Sequence, residues 1–114
     1  MILVMQGTAS IAAGTTTASV LVGQKYERPP ANCRGTLYCT GSDSGLKAAL
    51  NVDGLAVSDE VDVSDQNRIP IVPDDMLISD FEANAGGLMQ LQVRNSDPSN
   101  NLDFFWRVEL EVVG

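Results

Sequence analysis

The sequence predicts an all-β fold, a single antiparallel β-sandwich of the jelly-roll kind with about eight strands. Three observations predict it. Apolar and polar residues alternate over several short runs, the pattern of strands with one buried face. Turn-forming residues separate those runs at roughly 8 to 14 residue intervals, the spacing of a sandwich or barrel. Ten Gly, five Pro and abundant Thr, Ser, Asn and Asp leave little room for long helices. At 114 residues the chain closes one core, so residues 1–114 are read as one domain.

The N-terminal "MILVMQGTAS" has a five-residue apolar start without a basic region or a long apolar core, so it reads as neither a signal peptide nor a membrane span. "TTTASVLVG" (15–23) is rich in β-branched residues and predicts a strand. "GQKYERPPAN" (23–32) is an irregular link, because Pro29-Pro30 forbids regular pairing. A short strand, "RGTLYCTG" (34–41), follows.

"LKAALNV" and "LAVSDEVDV" flank Asp53-Gly54, a dipeptide that tolerates the positive φ angles of a tight type I′ turn. They predict a hairpin, with Leu46, Ala48, Leu50 and Val52 on one face of the first arm and Leu55, Val57, Val61 and Val63 sharing a parity in the second. "QNRIPIVPDD" (66–75) carries two prolines and reads as an edge or connecting segment. A strand over about 76–83 alternates Leu77, Ser79, Phe81 and Ala83 against Met76, Ile78 and Asp80, and Gly86-Gly87 turns it into the next.

Met89, Leu91 and Val93 then alternate with Gln90, Gln92 and Arg94, and "NSDPSNN" (95–101) is a loop. The clearest strand is the last: Leu102, Phe104, Trp106, Val108, Leu110 and Val112 fall on one face, and Asp103, Arg107, Glu109 and Glu111 on the other. The aromatic run Phe104-Phe105-Trp106 is thereby divided. Phe104 and Trp106 are core anchors, whereas Phe105 faces outward among charges.

Cys33 and Cys39 lie six residues apart. On one extended strand their Cα atoms are about 20 Å apart, and a disulfide needs about 4.4 to 6.8 Å. They read as two small buried thiols, with a bridge left open only if the strand begins later. An antibody-type domain is disfavoured, since Trp106 lies far downstream of both cysteines rather than between them.

Charge and chemistry narrow the function. Seven Lys and Arg against fifteen Asp and Glu give a net charge of −8, which disfavours nucleic acid and anionic lipid as partners. With no histidine, Ser-His-Asp and Cys-His sets cannot be assembled, so the chain is expected not to be an enzyme, and no cofactor or metal is assigned. Asp59, Glu60, Asp62 and Asp65 in "SDEVDVSD" could supply a glycosidase pair but read as solvated strand and turn residues. "NAGGL" and "GSDSGLK" lack phosphate-loop spacing. The oxygen-rich segments 62–67, 73–75 and 95–101 do not match an EF-hand; they read as turns, with a calcium ion held by a loop as the alternative.

Two binding readings remain. Phe105, Leu88, Val113 and the apolar start Ile2, Leu3, Val4 and Met5 would form an aliphatic and aromatic interface between copies of the chain. Alternatively, loops bearing Tyr26, Asp43, Asp65 and Asn100 would meet a glycan, with an exposed aromatic stacking on sugar.

The stretches "VLVGQKYERPP", "RIPIVPDD" leading into "MLISDFEANAGGLMQLQVRN", and the final "FFWRVELEV" give the chain a resemblance. It resembles the small, acidic, all-β virion proteins of tailed and tail-less phages, especially short sequences of marine phages. The resemblance implies a capsid-associated β-sandwich, a decoration or cement, spike or minor capsid subunit, made in the host cytoplasm and carried in the virion. Such a subunit would work as a homo-oligomer, a trimer or pentamer, in contact with other capsid proteins. It carries over no functional residues.

Overall fold

A computed structural model describes residues 1–71 and 74–113. Among these there is no helix. Nine strands form two antiparallel sheets: β1 (Ile2–Ile11), β2 (Thr16–Thr17), β3 (Cys33–Gly41), β4 (Leu46–Val52), β5 (Leu55–Ala56), β6 (Val61–Asp62), β7 (Met76–Ala83), β8 (Met89–Asn95) and β9 (Leu102–Val112). One sheet has the order β1-β9-β3-β7, and the other runs β2-β8-β4-β5 with β6 also paired to β4. Side chains from both sheets share one core, including Leu37, Phe104, Trp106 and Leu110 from the first and Leu46, Leu50, Met89 and Leu91 from the second. The arrangement is sandwich-like.

Strand β9 behaves as its alternation predicts. Leu102, Phe104, Trp106, Val108 and Leu110 are buried, and Val112 is half-buried against the core. The strand is paired along both edges, with Ile2↔Glu111 to Ile11↔Leu102 on one side and Cys33↔Val112 to Gly41↔Phe104 on the other. Strands β4 and β8 repeat the pattern, with Leu46, Ala48, Leu50 and Val52 opposite Met89, Leu91 and Val93 inside.

Two glycines make room for the aromatic core. Gly7 lies opposite Trp106, where a Cβ would stand 2.8 Å from Cζ2 of the indole. Gly35 lies opposite Phe81, whose ring occupies the space a side chain at position 35 would take. The aromatic rings lie over the neighbouring backbone because the neighbour has no side chain.

Both cysteines are free and buried on β3, and burial pushes the Cys39 thiol well above its ordinary pKa. The expected turn is present, with φ of +54° at Asp53 and +76° at Gly54.

Several expectations are corrected. The apolar start, to which the sequence assigns no strand because polar alternation is lacking, belongs to a ten-residue edge strand. Of "TTTASVLVG", only Thr16–Thr17 is strand. The Ser19 hydroxyl accepts the Leu21 and Leu91 N–H groups, drawing the chain off the sheet edge so that Leu21 is buried and Val22 is 72% exposed.

The second hairpin arm is split into β5 and β6. Both Val57 and Ser58 N–H groups turn to the one carbonyl of Leu50, and the register slips by two residues between Asn51↔Ala56 and Lys47↔Asp62. Leu55, Val57 and Val61 are consequently exposed, and only Val63 of that arm is buried. In β7, register shifts against β3 and a φ of +53° at Asp80 break the alternation. Phe81 and Ala83 point inward as expected, but Ser79 is exposed and Leu77 is only half-buried. Val72 and Pro73, within the expected 66–75 link and the oxygen-rich 73–75 segment, lie outside the described residues.

Outside the second sheet, Lys47 meets Asp62 at 2.5 Å, and Arg94 donates two hydrogen bonds to Glu60, at 3.0 and 2.7 Å. These pairs hold the 58–62 segment over the sheet.

Two outcomes follow. Gly35→Ala forces the Phe81 ring to move and lowers unfolding free energy by about 1–3 kcal/mol, read as a reduced midpoint in urea denaturation. The second concerns pH. Hydrogen bonding to Arg94 is the main cause that holds the Glu60 carboxyl below its ordinary pKa. Its contribution is therefore present above the unfolded-state pKa and lost as pH falls through the lower folded-state value. Because the pair is partly solvated and screened, Glu60→Gln costs only about 0.5 kcal/mol near pH 7, and denaturation at successively lower pH shows the gap between variant and parent narrowing.

Candidate self-association surface

The outward side chains of the first sheet form rows fixed by register. Ile2, Glu111 and Arg34 stand side by side, then Val4, Glu109 and Thr36, then Gln6, Arg107 and Tyr38, then Thr8, Phe105 and Thr40. Arg107 lies across this face, with Nε donating to Glu109 at 2.8 Å and Nη1 to Gln6 at 3.1 Å. Tyr38 donates to Glu109 at 3.5 Å, and burial, then the Glu109 charge, raises its pKa. Ile2, Arg34, Thr36, Asp80, Glu109 and Glu111 line a shallow dip of about 90 Å³ in the same face.

Phe105 points outward as its parity requires, but it is half-buried rather than exposed. Its neighbours Thr8 and Thr40 flank it. Beyond Thr40, the segment after β6 runs along β3 where β7 has ended. Thr40 bridges Ser64, Gly41 N–H donates to the Ser64 carbonyl, Asn67 N–H donates to the Gly41 carbonyl, and the buried Thr40 hydroxyl donates to the Arg68 carbonyl.

The segment is pinned by Asp75, whose buried carboxylate accepts two hydrogen bonds from Arg68, each 3.2 Å, and one from Ile71 N–H at 2.8 Å. Around this clamp Ile69, Ile71 and Met76 are left exposed. Sequence reasoning missed them as surface apolars. The available signal was "RIPI", apolar residues astride a proline with no polar partner in alternation.

The predicted interface residues do not form one patch. Ile2 and Val4 face outward on β1, whereas Leu3 packs against the core between them. Leu88 is half-buried beside the β4–β5 turn, where Asp53 accepts its N–H at 3.2 Å, so it belongs to the other sheet. Val113 is exposed beyond β9, at the end of the fold opposite Phe105's end of that strand.

The predicted glycan loops also divide. Asp43, Asp65 and Asn100 are exposed at the end where β3 stops and β9 starts. Tyr26 is half-buried at the other end, where Met89 N–H donates to the Glu27 carbonyl. Trp106 is in the core and offers no stacking face. In the Asn100 loop, Asp97 accepts both the Ser99 and Asn100 N–H groups, which lower its carboxyl pKa; its oxygens are committed to the turn.

Among the described residues, no three Cys, Asp or Glu side chains are gathered as a metal site. A hollow of about 390 Å³ opens between Val52, Leu55 and Val57 around the β4–β5 turn and Glu82 and Asn84 at the end of β7, but its Asp53 is already engaged with Leu88 N–H.

No known protein family matches the chain, and no curated protein does.

The clamp has a measurable consequence. Asp75→Ala leaves the Ile71 N–H and the Arg68 guanidinium without their acceptor, and unfolding free energy falls by about 1–3 kcal/mol in equilibrium denaturation.

Proposed function

We propose that this protein is a virion structural subunit: a jelly-roll β-sandwich that acts by assembling with copies of itself and with other capsid proteins, and not by catalysis. One observation carries the reading. The chain alternates between the sheets, so that β1, β3, β7 and β9 interleave as β1-β9-β3-β7 while β2, β4, β5 and β8 interleave as β2-β8-β4-β5. That interleaving is what two nested Greek keys produce, and jelly rolls of this kind build viral capsid and lectin domains.

Between those two uses the surface favours assembly. A lectin-like site needs an aromatic face beside polar loops, but Trp106 is buried and Tyr26 lies at the end away from Asp43, Asp65 and Asn100. Assembly needs apolar area at edges and faces, and Ile2, Val4, Ile69, Ile71 and Met76 supply it. The resemblance to small phage virion proteins points the same way. The subunit is made in the host cytoplasm and resides in the particle as a decoration, spike or minor capsid component.

Size-exclusion chromatography with light scattering tests the reading. A discrete multimer, with a trimer or pentamer as its ring, is the expected result. A monomer at high micromolar concentration that binds no particle overturns it. Phe105→Asp, on the outward face of β9, retains the near-ultraviolet signal of the buried Trp106 and weakens assembly.

A further inference from the structure

A sheet edge with free backbone groups is a template for another strand, and proteins blunt such edges with charge, bulges, brevity or cover. Three of the four edges here are blunted. Strand β7 carries Asp80 and Glu82 and is bulged against β3. Strand β2 has two residues, and the opposite edge of its sheet is broken into β5 and β6 around Asp59 and Glu60.

Strand β1 has none of these devices. Its ten residues, ILVMQGTASI, include no charge and no proline, and they pair with β9 without a register shift. The Val112 N–H donates to the Met1 carbonyl, so odd-numbered residues of this strand turn their backbone groups to β9. The N–H and C=O groups of Ile2, Val4, Gln6, Thr8 and Ser10 therefore face the open edge.

We propose that β1 is the seam between two copies of this chain, joined antiparallel about a two-fold axis at Gln6. The proposal rests on the self-assembly reading and names the surface that performs it. A second copy is the occupant that the edge itself specifies. Read antiparallel against itself, β1 sets Gln6 opposite Gln6, Val4 opposite Thr8 and Ile2 opposite Ser10, so that every open donor meets an open acceptor in about ten hydrogen bonds. Leu3 falls opposite Ala9 and Met5 opposite Gly7 on the inner face.

Charge selects the same edge. In a chain of net charge −8, self-apposition at most surfaces sets carboxylates against carboxylates; of the two long edge strands, β7 carries Asp80 and Glu82 whereas β1 carries none. The contact is isologous, so it closes after two copies and doubles whatever ring the other surfaces form.

The test uses the full chain. Gln6→Cys places one exposed thiol at the axis, and a short bis-maleimide, which adds one thiol at each end, yields covalent dimers under conditions where Ser10→Cys, with its thiols roughly 27 Å apart across the seam, yields few. Val4→Lys puts a charge on the outward face of the seam and halves the assembly mass in light scattering, while the Trp106 near-ultraviolet signal is unchanged. Equal cross-linking at both positions, or an assembly of parental mass with Val4→Lys, overturns the seam and leaves the self-assembly reading standing. A monomeric parent chain overturns both.

Discussion

Strand β9 is the member on which the first sheet depends, because among the described strands it alone is paired along nearly all of its length on both edges. Strand β1 has no other partner, and β7 reaches β9 only through β3. Its inward side chains fill the core from one end to the other, and Trp106 fits because Gly7 and Cys39, its neighbours across the two ladders, are small. A long central strand thus dictates residue size in the strands beside it. The glycine in an otherwise ordinary β1 follows from the indole one strand away.

How much of this was legible in the sequence depends on whether one face of a strand meets water. Strands β4, β8 and β9 were readable because polar residues mark their outer faces, and Asp53-Gly54 marked its own turn. Strand β1 was not, since Ile2 and Val4 are apolar and yet point outward, leaving no alternation to detect. "TTTASVLVG" misled in the opposite sense. Its β-branched residues favour a pleated surface, but the Ser19 hydroxyl competes for backbone N–H groups and ends the strand after Thr17.

The candidate surface was legible in parity but not in depth. Phe105 faces the way its place in the alternation requires. That Thr8 and Thr40 would flank it, and that the segment around Arg68 would close over Thr40, depends on contacts between residues far apart in the chain. The scattering of Leu88, Val113 and Leu3 has the same origin. Apolar character says that a residue needs cover, and only topology says whether the core or a partner supplies it.

The order of the strands also has a consequence in time. Of the nine described strands β1 comes first in the chain, and β9, its ladder partner among them, comes last. At ordinary translation speeds it waits on the order of ten seconds for β9 to emerge. During that interval an uncharged, strand-prone segment is tethered near the ribosome with both of its edges open, and neighbouring nascent chains on one message carry the same segment. Chaperones of the cell that makes it, rather than the finished fold, have charge of this strand first.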